Sequence, residues 1–118
     1  MSRVYNVIDA DGHILEPLDL WANYIDPKFR DRAPKIIKGE NGKDQLVIDE
    51  HAVGDSRTGI GRIGAVGSRQ GVVAGDTMAY KDGKPGGFDP HKRIPDMDED
   101  GLDAAFLYPS LGLFSGVI

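Results

Sequence analysis

The sequence predicts an α/β fold, and three observations carry that expectation. A short apolar run near the start (Val4, Tyr5, Val7, Ile8) reads as a buried strand. A stretch opened by Asp89-Pro90 and closed by Gly101 has the caps of a helix. The continuous apolar run Ala104-Ala105-Phe106-Leu107-Tyr108 reads as a second strand, of the parallel kind that is covered on both faces.

Composition narrows the class of function. A chain of 118 residues suffices for one compact domain. Charged residues make up 28% and hydrophobic ones 40%, a normal soluble balance. The formal net charge is −5 and the 14 Lys and Arg are scattered, so no basic stripe is present to neutralise phosphates and nucleic acid is not expected as a partner. The absence of cysteine excludes disulfides and thiolate metal sites and is compatible with a cytoplasmic location. No apolar run approaches the ~20 residues of a membrane span. Met1-Ser2-Arg3-Val4 has no signal-peptide core.

The elements follow in order. The first strand is expected over 3–9, and it stops in three metal-capable side chains spaced two apart, Asp9, Asp11 and His13. Side chains two apart in extended backbone point to the same side. Asp11 and His13 can therefore offer a carboxylate oxygen and an imidazole nitrogen to one ion, with Gly12 leaving room and letting the backbone turn. Acidic and glycine residues after a strand are also ordinary turn chemistry, and spacing alone leaves both readings open. Pro17 suits a first helical turn. Leu18, Trp21, Ala22 and Ile25 then fall on one helical face, and Asp26-Pro27 ends it. Residues 29–34 read as a charged connector.

Lys35–Lys38 and Gln45–Ile48, joined through Asn41-Gly42, read as a β-hairpin, with a second turn at Glu50-His51 returning the chain along Ala52-Val53. Residues 52–87 hold ten of the 16 glycines and few large apolar residues, which predicts a long mobile loop. Within it, Gly59-Ile60-Gly61-Arg62-Ile63-Gly64 matches the dinucleotide fingerprint in letters only. A strand should precede that fingerprint, and here Asp55-Ser56-Arg57-Thr58 does. The helix from Asp89 to Gly101 carries Ile94 and Met97 as an apolar stripe, Pro95 as a bend or a late start, and an acidic solvated face over 96–100. The tail beyond the second strand is apolar.

Ile8-Asp9-Ala10-Asp11-Gly12-His13, followed by Glu16-Pro17-Leu18-Asp19-Leu20-Trp21, resembles the start of the amidohydrolase-related family, which includes enzymes like aminocarboxymuconate-semialdehyde decarboxylase. The block from Arg93 to Pro109 resembles that family's first long helix and second barrel strand. The resemblance implies the N-terminal portion of a TIM (β/α)8 barrel, with a small β-hairpin insertion and the glycine-rich loop between the two blocks. It divides the chain as 3–34 (strand, metal motif and helix), 35–88 (insertion) and 89–118 (helix and second strand). A full barrel needs about 250 residues, so a fragment of a longer enzyme is expected, inactive alone.

The resemblance also implies chemistry. Asp11 and His13 match the family's H-x-H metal pair, with Asp9 orienting its neighbours from behind. Aspartate in place of the first histidine resembles the decarboxylase branch, whose substrates are carboxylated and often aromatic small molecules. The implied cofactor is a divalent metal, zinc, manganese or magnesium, and a carboxylate ligand favours the harder two. His51 and His91 match no ligand position of the family. A second expectation is a non-catalytic module that associates with itself, as a homo-oligomer, or with a partner chain through exposed barrel strands.

Overall fold

The computed structural model describes residues 7–65 and 78–113. Among these the elements run β1 (Ile8–His13), α1 (Leu20–Tyr24), β2 (Lys35–Lys38), β3 (Asp44–Ile48), β4 (His51–Val53), α2 (Gly61–Ala65), α3 (Pro85–Phe88), α4 (Pro90–Asp100) and β5 (Ala104–Tyr108). Short 3-10 turns lie at Pro27–Arg32 and Tyr80–Asp82. The fold is mixed α/β, with β1 and β5 parallel and β2-β3-β4 a separate antiparallel sheet.

The first strand differs from the 3–9 expected. It runs on through the metal motif to His13, and residues 3–6, with Val4 and Tyr5, lie outside the described residues. The parallel partner is as expected, but the burial is not: Ile8 is 56% and Phe106 62% exposed, with Val7, Leu107 and Tyr108 also open. A parallel pair is normally covered on both faces. Two strands alone have too few neighbours among the described residues to cover theirs.

The hairpin forms as its turn chemistry dictates. Lys35 to Lys38 pair with Val47 to Asp44 in antiparallel register, and Gly42 takes the left-handed conformation at φ 75°. The second turn falls one residue earlier than expected, on Asp49-Glu50, both left-handed (φ 49° and 67°) as a two-residue hairpin connection requires. Arg32, in the charged connector, reaches this turn with a bidentate pair to Asp49 at 2.7 and 2.8 Å. The first helix is shorter than the pattern suggested, five residues instead of the 18–25 face, and Leu18 and Ala22 remain exposed. Pro17 starts a separate turn, its carbonyl accepting from the Leu20 amide at 3.0 Å.

The long loop expected over 52–87 is corrected where residues are described, at 52–65 and 78–87; residues 66–77 lie outside the described residues. Ile60, Ala65 and Tyr80 are buried, and Ile60 and Tyr80 form one core with Leu15, Leu46 and Leu111. Gly59 and Gly64 serve close approach. A Cβ on Gly59 (φ 65°) would meet the Asp44 carbonyl oxygen at 2.6 Å, and one on Gly64 would meet that of Tyr80 at 2.8 Å. The Gly59–Gly64 letters thus follow a turn and pack backbone on backbone. Glycines 67, 71 and 75 and the tail residues 114–118 lie outside the described residues.

Helix α4 closes the picture. Asp89 accepts from the His91 amide at 2.8 Å, and Gly101 sits at φ 72° with the Leu102 amide donating to the Met97 carbonyl at 2.8 Å. That pair of caps is what Asp-Pro and Gly-Leu encode. Pro95 stays inside the helix without breaking it. Its clash partner, the His91 carbonyl, belongs to an exposed residue that water can satisfy. Of the apolar stripe Ile94 is exposed and Met97 half-buried, while Asp96 leaves the solvated face to pair with Lys84 at 2.9 Å. Among the described residues no helix is long and apolar enough to cross a membrane.

Candidate metal centre

The register of β1 on β5 decides where the motif points. Asp9 pairs with Ala105 and Gly12 with Leu107, so two residues of β1, Ala10 and Asp11, oppose Phe106 alone. This is a β-bulge, a feature frequent beside active sites. Strict alternation would put Asp9, Asp11 and His13 on one face. The bulge instead leaves His13 with Ile8, Ala104 and Tyr108, and turns Asp9 to the opposite face with Gly12 and Leu107. The same-side expectation therefore fails for Asp9 and survives for the other two.

Asp11 and His13 stay together. Asp11 Oδ1 lies 3.9 Å from His13 Nε2, and the Asp11 side chain is 91% exposed. Two donors that bind one ion at ~2.0–2.2 Å each stand no more than ~4.4 Å apart, so this pair can share an ion. His13 is also aimed. Its Nδ1 lies 3.1 Å from the Pro109 carbonyl oxygen. A carbonyl only accepts, so Nδ1 carries a proton, and in the neutral ring Nε2 is the nitrogen that offers a lone pair on the Asp11 side. A metal-ligating histidine is commonly held in this way. Asp9 holds the bulge from behind, its Oδ1 accepting the Asp11 amide at 3.0 Å. Arg93 of α4 donates to the His13 carbonyl at 2.8 Å.

Two donors fall short of the three protein ligands that a catalytic ion usually takes. Among the described residues, no group of three or more His, Cys, Asp or Glu side chains is placed to hold a metal ion. His51 bonds back to the Asp49 carbonyl at 2.7 Å, and His91 sits exposed on the first turn of α4. A cavity of about 470 Å³ lies between the parallel strands and α4, bordered by Asp9, Gly12, His13, Arg93, Asp96 and Met97.

Sequence reasoning missed one residue that matters here. Glu16 is 3% exposed and accepts from the Leu111 amide at 3.0 Å and the Gly112 amide at 2.9 Å. The Tyr80 hydroxyl lies 3.3 Å from both its carboxylate and its carbonyl oxygen. Burial raises the Tyr80 phenol well above its ordinary value, helped by the adjacent Glu16 charge. No hydrophobic pattern marks a buried glutamate. The only signal was its place in the Glu16-Pro17-Leu18 block that carried the family resemblance.

No protein-family model and no curated protein matches the sequence. Among solved structures, the chain is similar to an amidohydrolase from Mycobacterium avium subsp. paratuberculosis K-10, with a TM-score of 0.59 and 22% sequence identity. The chain shares the fold of part of that amidohydrolase. The match covers 94% of this chain and 32% of that one, so the chain spans about a third of the length of the structure it resembles. At this identity the likeness is one of fold, and it agrees with the resemblance read from the two sequence blocks.

Proposed function

We propose that the chain forms the N-terminal part of a metal-dependent enzyme of the amidohydrolase type, in which Asp11 and His13 supply two of the ligands to a divalent ion. The observation that carries this reading is the Asp11–His13 pair, 3.9 Å apart across a bulge, with the His13 ring oriented by the Pro109 carbonyl. A likeness of fold to an amidohydrolase three times as long supports it, since the remaining ligands would then lie on further strands. An ion held there supplies Lewis-acid chemistry, polarising a substrate oxygen or activating water.

The chain's own residues have defined tasks in this reading. Asp11 presents a hard oxygen donor, which favours manganese or magnesium over zinc. His13 presents Nε2 with its proton already parked on Nδ1. Asp9 fixes the bulge that keeps the two donors on one side, and Arg93 fixes the His13 backbone. Aspartate at position 11 inclines the reading to carbon–carbon cleavage of a carboxylated small molecule, aromatic ones included, with hydrolysis as the other chemistry of the family.

The test is titration of the 118-residue chain with Mn2+, followed by NMR. Paramagnetic broadening centred on residues 10–14 and abolished in Asp11→Ala/His13→Ala is the expected result. Broadening elsewhere, or unaltered by the double substitution, refutes the site. The second reading, a non-catalytic module that joins itself or a partner chain, draws on the open faces of β1 and β5, where Ile8, Phe106 and Tyr108 are exposed. Sedimentation of the chain across a concentration series, beside Phe106→Asp, separates the two: self-association lost in the variant supports the module.

A further inference from the structure

We propose that Glu16 is a positioning residue for His13, acting through the turn that follows β5; this rests on the reading of His13 as a metal ligand. The two strand exits are tied together residue by residue. The Ile14 amide donates to the Tyr108 carbonyl at 3.0 Å, and Ser110 Oγ donates to the Ile14 carbonyl at 2.6 Å. Glu16 then takes the next two amides of the turn, Leu111 on Oε2 and Gly112 on Oε1. The turn so held is the one that contains Pro109, whose carbonyl oxygen faces His13 Nδ1.

A carboxylate suits this task better than any neutral side chain. It accepts at both oxygens and donates at neither, so two successive backbone N–H groups are satisfied by one side chain. Burying such a group is costly unless it is fully hydrogen-bonded, and apolar packing would serve stability as well. What the carboxylate adds is a fixed orientation of the turn. Gln at this position would put an NH2 group against one of the two amides, loosening the turn and with it the Pro109 carbonyl. His13 would lose the bond that keeps its proton on Nδ1, and Nε2 would become the protonated nitrogen favoured by free imidazole. A ring with Nε2 protonated cannot ligate an ion beside Asp11.

The experiment is 15N NMR of the histidine rings in the 118-residue chain, wild type and Glu16→Gln, at a pH where the rings are neutral. Wild-type His13 is expected in the Nδ1–H form. In the variant its tautomer ratio should shift several-fold toward Nε2–H, while His51, whose ring also faces a carbonyl but sits on the hairpin turn, keeps its ratio. An unchanged His13 ratio in the variant, or equal shifts in both histidines, overturns the proposal. Hydrogen exchange of the wild-type chain tests it independently of how the variant folds: Leu111 and Gly112 amides that exchange as fast as open-turn amides overturn it, and protected ones support it. The metal reading fails separately. A chain that shifts tautomer but shows no Mn2+ broadening near His13 keeps the positioning by Glu16 and loses the metal.

Discussion

Replacing Gly12 by alanine tests the bulge that sets the candidate site. Its backbone is not left-handed, so the obstacle is space and not conformation. An added Cβ would stand 2.9 Å from Asp9 Oδ2, 3.0 Å from Leu107 Cδ2 and 3.1 Å from the Phe106 carbonyl oxygen. The two side chains can move; the carbonyl belongs to the backbone of β5. Overpacking of this kind costs about 1–3 kcal/mol. Asp9 would have to release the Asp11 amide, a further loss of about 0.5–1.5 kcal/mol. Alanine also restricts the unfolded chain, which offsets about 0.4–1 kcal/mol. The net expectation is a destabilisation of about 1–3 kcal/mol, read by urea unfolding with the single Trp21 as probe. The same substitution in an Asp9→Ala background should cost about 1 kcal/mol less, because the carboxylate is no longer in the way. If Gly12→Ala unfolds at the wild-type midpoint, or costs the same in both backgrounds, the contact of Asp9 with Gly12 does not hold the bulge.

Leu46→Ala removes a side chain that is 1% exposed and packs with Leu15, Ile60, Tyr80 and Leu111. It should cost about 2–5 kcal/mol in urea unfolding, and a loss under 1 kcal/mol would mean that the hairpin is an appendage and not part of the core. Tyr80→Phe addresses the alkaline limb. The folded-state phenol is raised above its ordinary value of 10.0. Its contribution is therefore fully present below pH 10 and is lost as pH rises beyond, because only the unfolded chain can release the proton there. The wild-type urea midpoint should fall between pH 10 and 11.5, and that fall should be shallower in Tyr80→Phe. Parallel pH profiles would show that Tyr80 titrates freely.

Much of the fold was legible because its signals are local. Asp89-Pro90 and Gly101-Leu102 set the ends of α4 through bonds within one turn of the chain. Asn41-Gly42 set the hairpin register for the same reason. The parallel run of β5 was legible from its apolar continuity, though its exposure was not, since burial depends on what else packs against it. The described parts of 52–87, residues 52–65 and 78–87, depart from a loose loop because glycine count does not distinguish looseness from close packing. Gly59 and Gly64 are packing devices, and only the approach of Asp44 and Tyr80 backbone shows that.

The candidate site divides in the same way. The groups on offer are plain in the residues themselves: Asp9, Asp11 and His13 within five positions, no cysteine, and a net charge of −5. Their arrangement in space comes from pairing between distant segments. Spacing of two assigns all three side chains to one face, and a single extra residue in the pairing with β5 sends Asp9 to the other. The tautomer of His13 depends on a carbonyl 96 residues away in the chain, and the turn bearing that carbonyl is held by Glu16 across a similar span. Such contacts join segments that sequence separates, so no periodicity or motif within either segment can encode them.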